Sequence, residues 1–160
     1  MKIITLSKAN IKKRMAELLK IDVDQFTSWG TVWQKENFLY ELPLKFKLSG
    51  IAIENNNVVG FLIASNKHGT AHIHRIAVKP GSTGKNIGSK ILDFLEKKAK
   101  KKKLNKISAE TLRKDQLINF YAKNGFKKMT FKEQLAYAQG RSPKERREFL
   151  KKSVVIFKDL

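Results

Sequence analysis

A segment in the middle of the chain has the residue types and the order of a phosphate-binding turn. The strand-like run Ile76–Val78 is followed by Pro80, which cannot donate to a strand ladder, and then by mainly small residues up to Ser89. Glycine in such a turn lets a phosphate approach the backbone closely, because no Cβ intervenes. A helix that begins directly after the turn offers unpaired N–H groups and the positive end of its dipole to an anion. The segment therefore predicts a strand, a phosphate cradle and a helix.

At these residues the chain resembles the GNAT superfamily of acetyl-CoA-dependent N-acetyltransferases. The pyrophosphate loop of that family follows the pattern Arg/Gln-x-x-Gly-x-Gly/Ala after a strand and a proline. Gly84 and Gly88 fit this pattern. Thr83 stands where Arg or Gln is usual, and Asn86 stands where the first motif glycine is usual.

A second match lies downstream, where Asn119–Phe126 is similar to the family's helix-to-strand segment Tyr-x-x-x-Gly-Phe. The resemblance covers about residues 3–160, is strongest over 71–128, and is closest in character to the ribosomal-protein alanine acetyltransferases. It implies an α/β (α+β) GNAT fold, with a mixed, mainly antiparallel seven-stranded sheet and helices on both faces. Residues 1–160 would form a single N-acetyltransferase domain, with a helical insertion at about 133–152 before the last strand.

The resemblance implies transfer of an acetyl group from acetyl-CoA to a primary amine by direct attack. In the family, strands four and five splay apart, so that backbone N–H groups near Ile76 and Val78 would bind the acetyl and pantetheine portions. The implied cofactor-binding residues are Ile76, Ala77, Val78, Thr83, Gly84, Lys85, Asn86, Ile87, Gly88 and Ser89. No metal is expected, because the chain has three histidines and no cysteine.

Two side chains are candidates for moving protons. Tyr121 occupies the family's proton-donor position, and a phenol can protonate the departing thiolate of coenzyme A; the alternative is a core tyrosine with an ordinary hydrogen bond. Glu110 occupies the strand position at which a glutamate acts as the base in the alanine-acetylating branch, and the alternative is a structural salt bridge. His72 and His74 are further candidate bases by their intrinsic pKa.

The acceptor side carries a weaker signal. Trp29, Trp33 and Glu41 fall where the alanine-acetylating branch builds its acceptor site, although packing in a helical core explains the same residue types. Lys114 replaces the asparagine that contacts the cofactor in many relatives.

The hydrophobic pattern predicts the elements that must position these residues. Strands are expected at 3–6, 50–54, 58–65, 71–78, 106–111, 126–131 and 154–157, and helices around 11–19 and at 32–42, 87–99, 115–123 and 142–150. In the strand at 71–78, alternation assigns His72, His74, Ile76 and Val78 to one face and Ile73, Arg75 and Ala77 to the other. A turn is expected at 26–30.

Length and composition favour one compact unit. A chain of 160 residues can bury one substantial core. Its apolar stretches, such as 58–65, are far shorter than the ~20 residues of a membrane span, and no signal peptide is evident, so a cytoplasmic protein is expected.

The charge is large and uneven. The net charge is +20, and residues 1–65 carry nine Lys or Arg and six Asp or Glu, against twenty-five and eight in residues 66–160. The run 97–103 holds six lysines. A solvated helix end that complements the dipole explains such a run; a surface for RNA, a ribosome or an acidic protein is the other interpretation.

The acceptor is therefore left as one of several amines. A protein N-terminus or lysine, on a ribosomal or other nucleic-acid-associated protein, is the first interpretation, and aminoacyl-tRNA is the second. A GNAT-like binding module without turnover is an alternative from another class, because Thr83 and Asn86 depart from the motif. The sequence does not indicate the oligomeric state.

Overall fold

The structure is a computed structural model that describes residues 1–82 and 84–160, so the predicted cofactor contact Thr83 lies outside the described residues. A 3₁₀ turn, Thr27–Trp29, follows the first helix. The elements in chain order are β1 Lys2–Thr5, α1 Lys8–Phe26, α2 Lys35–Leu39, α3 Lys45–Leu48, β2 Gly50–Glu54, β3 Asn57–Lys67, β4 Thr70–Val78, α4 Ile87–Lys101, β5 Lys106–Leu112, α5 Asp115–Lys123, β6 Lys127–Lys128, α6 Phe131–Tyr137, α7 Pro143–Lys152 and β7 Ser153–Asp159.

The described strands form one seven-stranded sheet in the order β1-β2-β3-β4-β5-β7-β6. β4 and β5 run parallel, and the other neighbouring strands run antiparallel. Parallel neighbours need a crossover, which α4 provides. The mixed, mainly antiparallel sheet that the resemblance implied is confirmed.

Helices cover both faces of the sheet. The helix expected at 87–99 is confirmed as α4. Its residues Ile87, Ile91, Leu95 and Ala99 are at most 3% exposed and pack in one core cluster with residues of β3, β4 and β5. α1 packs on the opposite face, where Leu18 and Phe26 join a second cluster. The central strands lie between the two clusters, and the candidate site lies at these strands.

The segment between β6 and β7 contains α6 and α7. Ser142 caps α7 and accepts a hydrogen bond from the N–H of Glu145, with Pro143 in the first turn, so the helix expected at 142–150 is confirmed. Phe149 of α7 and Ala138 pack on Val155 of β7 in a third cluster. This segment therefore covers the part of the sheet beside β5.

Two predicted elements were wrong in their extent. The helix expected at 32–42 is only α2, since α3 and the turn before it follow separately. The strand expected at 126–131 is the two-residue β6, because Thr130 caps α6 with a capping box to Glu133. The turn expected at 26–30 is confirmed as one 3₁₀ turn after α1, closed by Gly30 at φ +67°.

A β-bulge changes the facing of β4. The register with β3 shifts between Ile63 and Ala64, which pair with Arg75 and Ile73 and leave His74 as the extra residue. Ile73 therefore packs in the α4 cluster, together with Ile76 and Val78. The predicted assignments of Ile73 to the face of Arg75, and of His72 and His74 to the face of Ile76 and Val78, were wrong, because uninterrupted alternation cannot represent an inserted residue.

No helix among the described residues is long and apolar enough to cross a membrane.

Candidate active site

The two parallel strands part after their first four pairs. Thr70–Ile73 of β4 pairs with Lys106–Ala109 of β5, and no further pairs join them. β4 continues along β3 to Val78, and β5 continues along β7 to Leu112. The gap forms part of a cleft of about 870 Å³. Such a volume suits an extended small-molecule ligand.

Backbone groups of β4 point into this gap. The N–H of Lys79 donates to the carbonyl of Val59 on β3 at 2.9 Å. Because the hydrogen-bonding direction alternates along an antiparallel strand, the N–H groups of Ile76 and Val78 point away from β3 and toward the parted β5. The carbonyl of Val78 accepts a hydrogen bond from Nε2 of Gln25 at 2.7 Å, so α1 satisfies one of these groups.

The N-terminus of α4 lines the same cleft. Asn86 is its N-cap residue at φ +58°, and its side chain makes no capping hydrogen bond. The first turn contains no acidic residue. The N–H groups of this turn have no intrahelical acceptor, and the helix dipole favours an anion there. Asparagine is one of the few residues besides glycine that adopts such a positive φ readily, so Asn86 can replace the usual glycine.

The glycines of this loop have different roles. Gly84 has φ +87°, a conformation that side chains rarely adopt. Gly88 lies where α4 meets α5, and a Cβ on it would stand 3.0 Å from two ring atoms of Phe120. Because Gly88 has no Cβ, α4 and α5 can approach each other closely. The first turn of α4 also stays free of a side chain at this position.

Most of the predicted cofactor-binding residues meet at the cleft. The members that line it are Ile76, Ala77, Val78, Gly84, Asn86, Ile87, Gly88 and Ser89. Lys85 does not line it, and its Nζ lies 3.7 Å from a carboxylate oxygen of Glu54 on the surface.

Tyr121 lies at the cleft wall and is 5% exposed. Its ring packs edge-on against Phe120 and Phe126 at centroid distances of 5.1 and 5.4 Å. Burial raises the pKa of Tyr121 well above its usual range. The phenol therefore stays protonated at neutral pH, which is the state that a proton donor requires.

Glu110 lines the cleft at the point where β5 leaves β4. The hydroxyl of Tyr137 and Nη2 of Arg141 both donate to its Oε1, at 2.7 and 2.8 Å. Within the described residues, Oε2 receives no hydrogen bond. Glu110 is thus held by the α6–α7 segment and keeps one oxygen for another donor.

The two histidines lie side by side, with ring centroids 5.0 Å apart. A hydrogen bond joins Nδ1 of His72 to Oγ of Ser108 at 3.0 Å, and another joins Nε2 of His74 to Oγ of Ser65 at 2.7 Å. Burial lowers the pKa of His72 to about 4 and also lowers that of His74. Only His74 lines the cleft.

Arg75 and Asp22 form a buried pair in the cleft wall, at 2.8 Å between Nε and Oδ1. The Nε–H does not point along this contact, so it is an ion pair, and the hydrogen bond runs from Nη2 to Oδ2 at 3.3 Å. Arg75 also donates to the carbonyl of Thr31, while Oδ2 of Asp22 accepts from the N–H of Trp33 at 2.7 Å. The pair therefore fixes the chain after α1.

The residues expected at the acceptor side do not lie together in the structure. Trp29 lines the cleft, and Nζ of Lys114 lies 5.0 Å from its ring centroid, across the end of the gap. Trp33 packs edge-on against Phe38 at 5.3 Å. Glu41 pairs with Lys8 on the surface and does not line the cleft.

Sequence reasoning did not identify four of these polar residues: Asp22, Arg75, Tyr137 and Arg141. Asp22 lies four residues after Leu18 and four before Phe26, on the buried stripe of α1. A charged residue on an apolar stripe was the available signal for the pair with Arg75. No local pattern indicates that Tyr137 and Arg141 reach Glu110.

No group of three or more His, Asp or Glu side chains in the described ranges is arranged to hold a metal ion.

These features define an acyltransferase type of site: a parted parallel strand pair beside an anion-accepting helix N-terminus. The acetyltransferase (GNAT) family matches residues 15–126 of the chain. The chain belongs to this family. No curated protein matches the sequence significantly.

Solved structures share the whole fold at low sequence identity. The ribosomal-protein-S18-alanine N-acetyltransferase of Escherichia coli has a TM-score of 0.73 and 15% identity over 99% of this chain and 92% of that one. A ribosomal-protein-alanine N-acetyltransferase of Brucella melitensis has a TM-score of 0.69 and 16% identity over 100% of both. The PaiA N-acetyltransferase of Thermoplasma acidophilum, in complex with coenzyme A, has a TM-score of 0.68 and 19% identity over 99% and 98%. At such identities the likeness shows the fold alone.

Proposed function

We propose that residues 1–160 act as a single N-acetyltransferase domain that transfers acetyl from acetyl-CoA to a primary amine of a protein. The observation that carries the proposal is the meeting of three features in one cleft. They are the parted backbone at Ile76 and Val78, the uncapped N-terminus of α4, and the protonated phenol of Tyr121.

The cleft fits the donor in both charge and shape. The first turn of α4 has no carboxylate, so its N–H groups would receive the pyrophosphate of acetyl-CoA. The N–H groups of Ile76 and Val78 would hold the pantetheine and acetyl portions. Acetyl-CoA supplies an activated thioester carbonyl when it is bound.

Proton transfers accompany the bond changes. Oε2 of Glu110 would take a proton from the acceptor ammonium, directly or through water, which frees the nitrogen lone pair. As the C–N bond forms and the C–S bond breaks, Tyr121 would give its proton to the departing sulfur. His74 is the alternative base, since a lowered pKa keeps it neutral at pH 7 and it lines the cleft.

A protein N-terminus or lysine, on a ribosomal or nucleic-acid-associated protein, is our first choice of acceptor, and aminoacyl-tRNA is the second. The clustering of lysines at one end of the molecule favours a nucleic-acid partner. Because Thr70 pairs with Lys106 in parallel, the start of β5 lies at the end of the molecule opposite to the phosphate loop. The lysines at this end are Lys97, Lys98, Lys100, Lys101, Lys102, Lys103, Lys106, Lys127 and Lys158, which we call the basic end.

Calorimetry with acetyl-CoA and coenzyme A tests the proposal. We expect saturable binding of both, followed by release of coenzyme A when an amine acceptor is supplied. A folded protein that binds neither at millimolar ligand would contradict the proposal. Binding without turnover on any peptide or tRNA acceptor would favour the alternative, a GNAT-like binding module.

A further inference from the structure

The face of the sheet from which an acceptor must approach can be read from the core clusters. α4, whose N-terminus lines the cleft, packs on one face together with Ala109 of β5. Glu110, the next residue, therefore points to the opposite face. Its register partner Val155 packs under α7 on that face. α1 lies on that face too, so the acceptor would enter between α1 and the α6–α7 segment.

The carboxylate that meets the acceptor is held from one side only. Tyr137 and Arg141 both donate to Oε1 of Glu110, so the plane of the carboxylate is fixed and Oε2 stays available. Among the described residues that line the cleft, Glu110 is the sole carboxylate. The carboxylate of Glu110 has two oxygens. Oε1 is already hydrogen-bonded, so Oε2 alone is left to accept from an ammonium group.

Cations surround this carboxylate. Nζ of Lys67 lies 5.2 Å from the ring centroid of Tyr137, and Arg141 lies 5.5 Å from the same ring. Lys67 is also close enough to His72 and His74 to oppose a charge on either ring. At the far end of the gap, Lys114 stands over Trp29. Lys67 and Lys114 have exposed side chains.

We infer that the acceptor is a peptide N-terminus whose next residues are acidic. The inference rests on the proposed function. The α-ammonium meets Oε2 of Glu110, while the residues behind it face Lys67, Arg141 and Lys114. Negative charge on those residues is attracted to these cations at short distances, and positive charge is repelled. The repulsion excludes basic acceptors, which gives the site specificity as well as affinity.

Three matched peptides test the inference. Each begins with alanine, continues with two aspartates, two glycines or two lysines, and ends in the same neutral, amidated tail. The rate of coenzyme A release gives kcat/KM for each, at low and at physiological salt. We expect the acidic peptide to exceed the basic one by at least about tenfold at low salt, and the ratio to shrink as salt screens the charges.

Two variants distinguish the effect of the cations near Glu110 from the effect of the protein's overall charge. Lys67→Met removes one charge and keeps an aliphatic side chain against Tyr137, so we expect the acidic-to-basic ratio to fall several-fold. Lys101→Met makes the same change in net charge at the remote end of α4 and should leave the ratio unchanged. Equal effects of the two variants would overturn the inference, because long-range steering would then explain the preference.

The failure of the inference differs from that of the proposed function. Equal or better turnover of the basic peptide would overturn the inference and leave the acetyltransferase proposal intact. Turnover of none of the three, in a protein that binds acetyl-CoA, would overturn both the inference and the peptide acceptor. Absence of acetyl-CoA binding would overturn the proposed function itself.

Discussion

Asp22 of α1 and Arg75 of β4 form an ion pair in the wall of the cleft, with side-chain exposures of 0% and 9%. The guanidinium lies over the rings of Phe26 and Trp33, at 3.8 and 4.8 Å from their centroids. Burial lowers the pKa of Arg75, and Asp22 opposes that shift. The pair therefore holds two charges away from water and depends on both partners being present.

Removing one partner should cost more than removing the pair. We expect Asp22→Asn to lower the free energy of unfolding by about 3 to 5 kcal/mol, because Arg75 would be left buried without its counter-ion. The double variant Asp22→Leu with Arg75→Met should be more stable than the two single losses predict. Urea denaturation of the natural protein, Asp22→Leu, Arg75→Met and the double variant gives the coupling, and Asp22→Asn is measured beside them.

A control lies two residues away on the same helix. Asp24 pairs with Lys20 at 3.6 Å on the surface. Asp24→Asn should cost less than about 1 kcal/mol, since exposed pairs contribute little. Similar losses for the two aspartate variants would contradict the structural role assigned to the buried pair.

The sequence was informative where the signal is local. The apolar stripe of α4, the capped start of α7 and the turn after β4 each depend on residues within a few positions of one another. The bulge at His74 and the contacts of Glu110 with Tyr137 and Arg141 depend on pairings between distant segments. Patterns of period two or 3.6 carry no information about such pairings, so these features could not be predicted.

A negative charge placed in the first turn of α4 should have opposite effects on coenzyme A affinity and on the free energy of unfolding. Ser89 is the third residue of α4 and lines the cleft. Aspartate is favourable at such a position, so Ser89→Asp should keep or raise the free energy of unfolding, by about 0.3 to 1 kcal/mol. Its charge should weaken coenzyme A binding at least about tenfold by repelling the pyrophosphate.

Calorimetry and thermal unfolding measure the two effects on the same samples. Ser89→Asn serves as the neutral control, because it has a similar size and adds no charge. Unchanged coenzyme A affinity in Ser89→Asp would mean that the phosphates bind elsewhere. It would also remove the main support for the cradle.

Tyr121→Phe removes one hydroxyl and little volume from the cleft wall. If Tyr121 protonates the thiolate, kcat should fall by about 10²-fold, with nearly normal acetyl-CoA affinity. Because burial raises the pKa of Tyr121, loss of its proton should not limit the rate of the natural protein up to about pH 9. Tyr40→Phe, at a side chain that is 67% exposed, is the control. Unaltered turnover in Tyr121→Phe would make Tyr121 structural.

His72 should make the protein less stable as the pH falls. The folded state keeps its pKa near 4, so the ring stays neutral, whereas the unfolded chain binds a proton near pH 6.5. The unfolded state therefore binds more protons between those values, and stability present above pH 6.5 is lost progressively toward pH 4, by up to about 3 kcal/mol.

The loss is measured as the free energy of unfolding across this pH range. His72→Gln should flatten the dependence relative to the natural protein, while acid effects of the carboxylates remain in both. His68→Asn is the control, because His68 is exposed and its φ of +51° suits asparagine. An identical slope in His72→Gln would show that His72 does not contribute.

The basic end gives the last prediction, which concerns RNA. Lys101 and Lys102 lie exposed at the C-terminal end of α4, away from the cleft, and neither forms an ion pair among the described residues. If they contact phosphates, binding to tRNA should weaken steeply with salt, because each neutralised phosphate releases a counterion. Reversal of both to glutamate should reduce the slope of log affinity against log salt by up to about 2, without changing acetyl-CoA affinity.

Lys12 and Lys13, exposed on α1, allow a control reversal of equal net charge. Filter binding from low to physiological salt measures both. Equal losses of tRNA affinity in the two reversals, or binding that disappears at physiological salt, would show that Lys101 and Lys102 only form a solvated helix end.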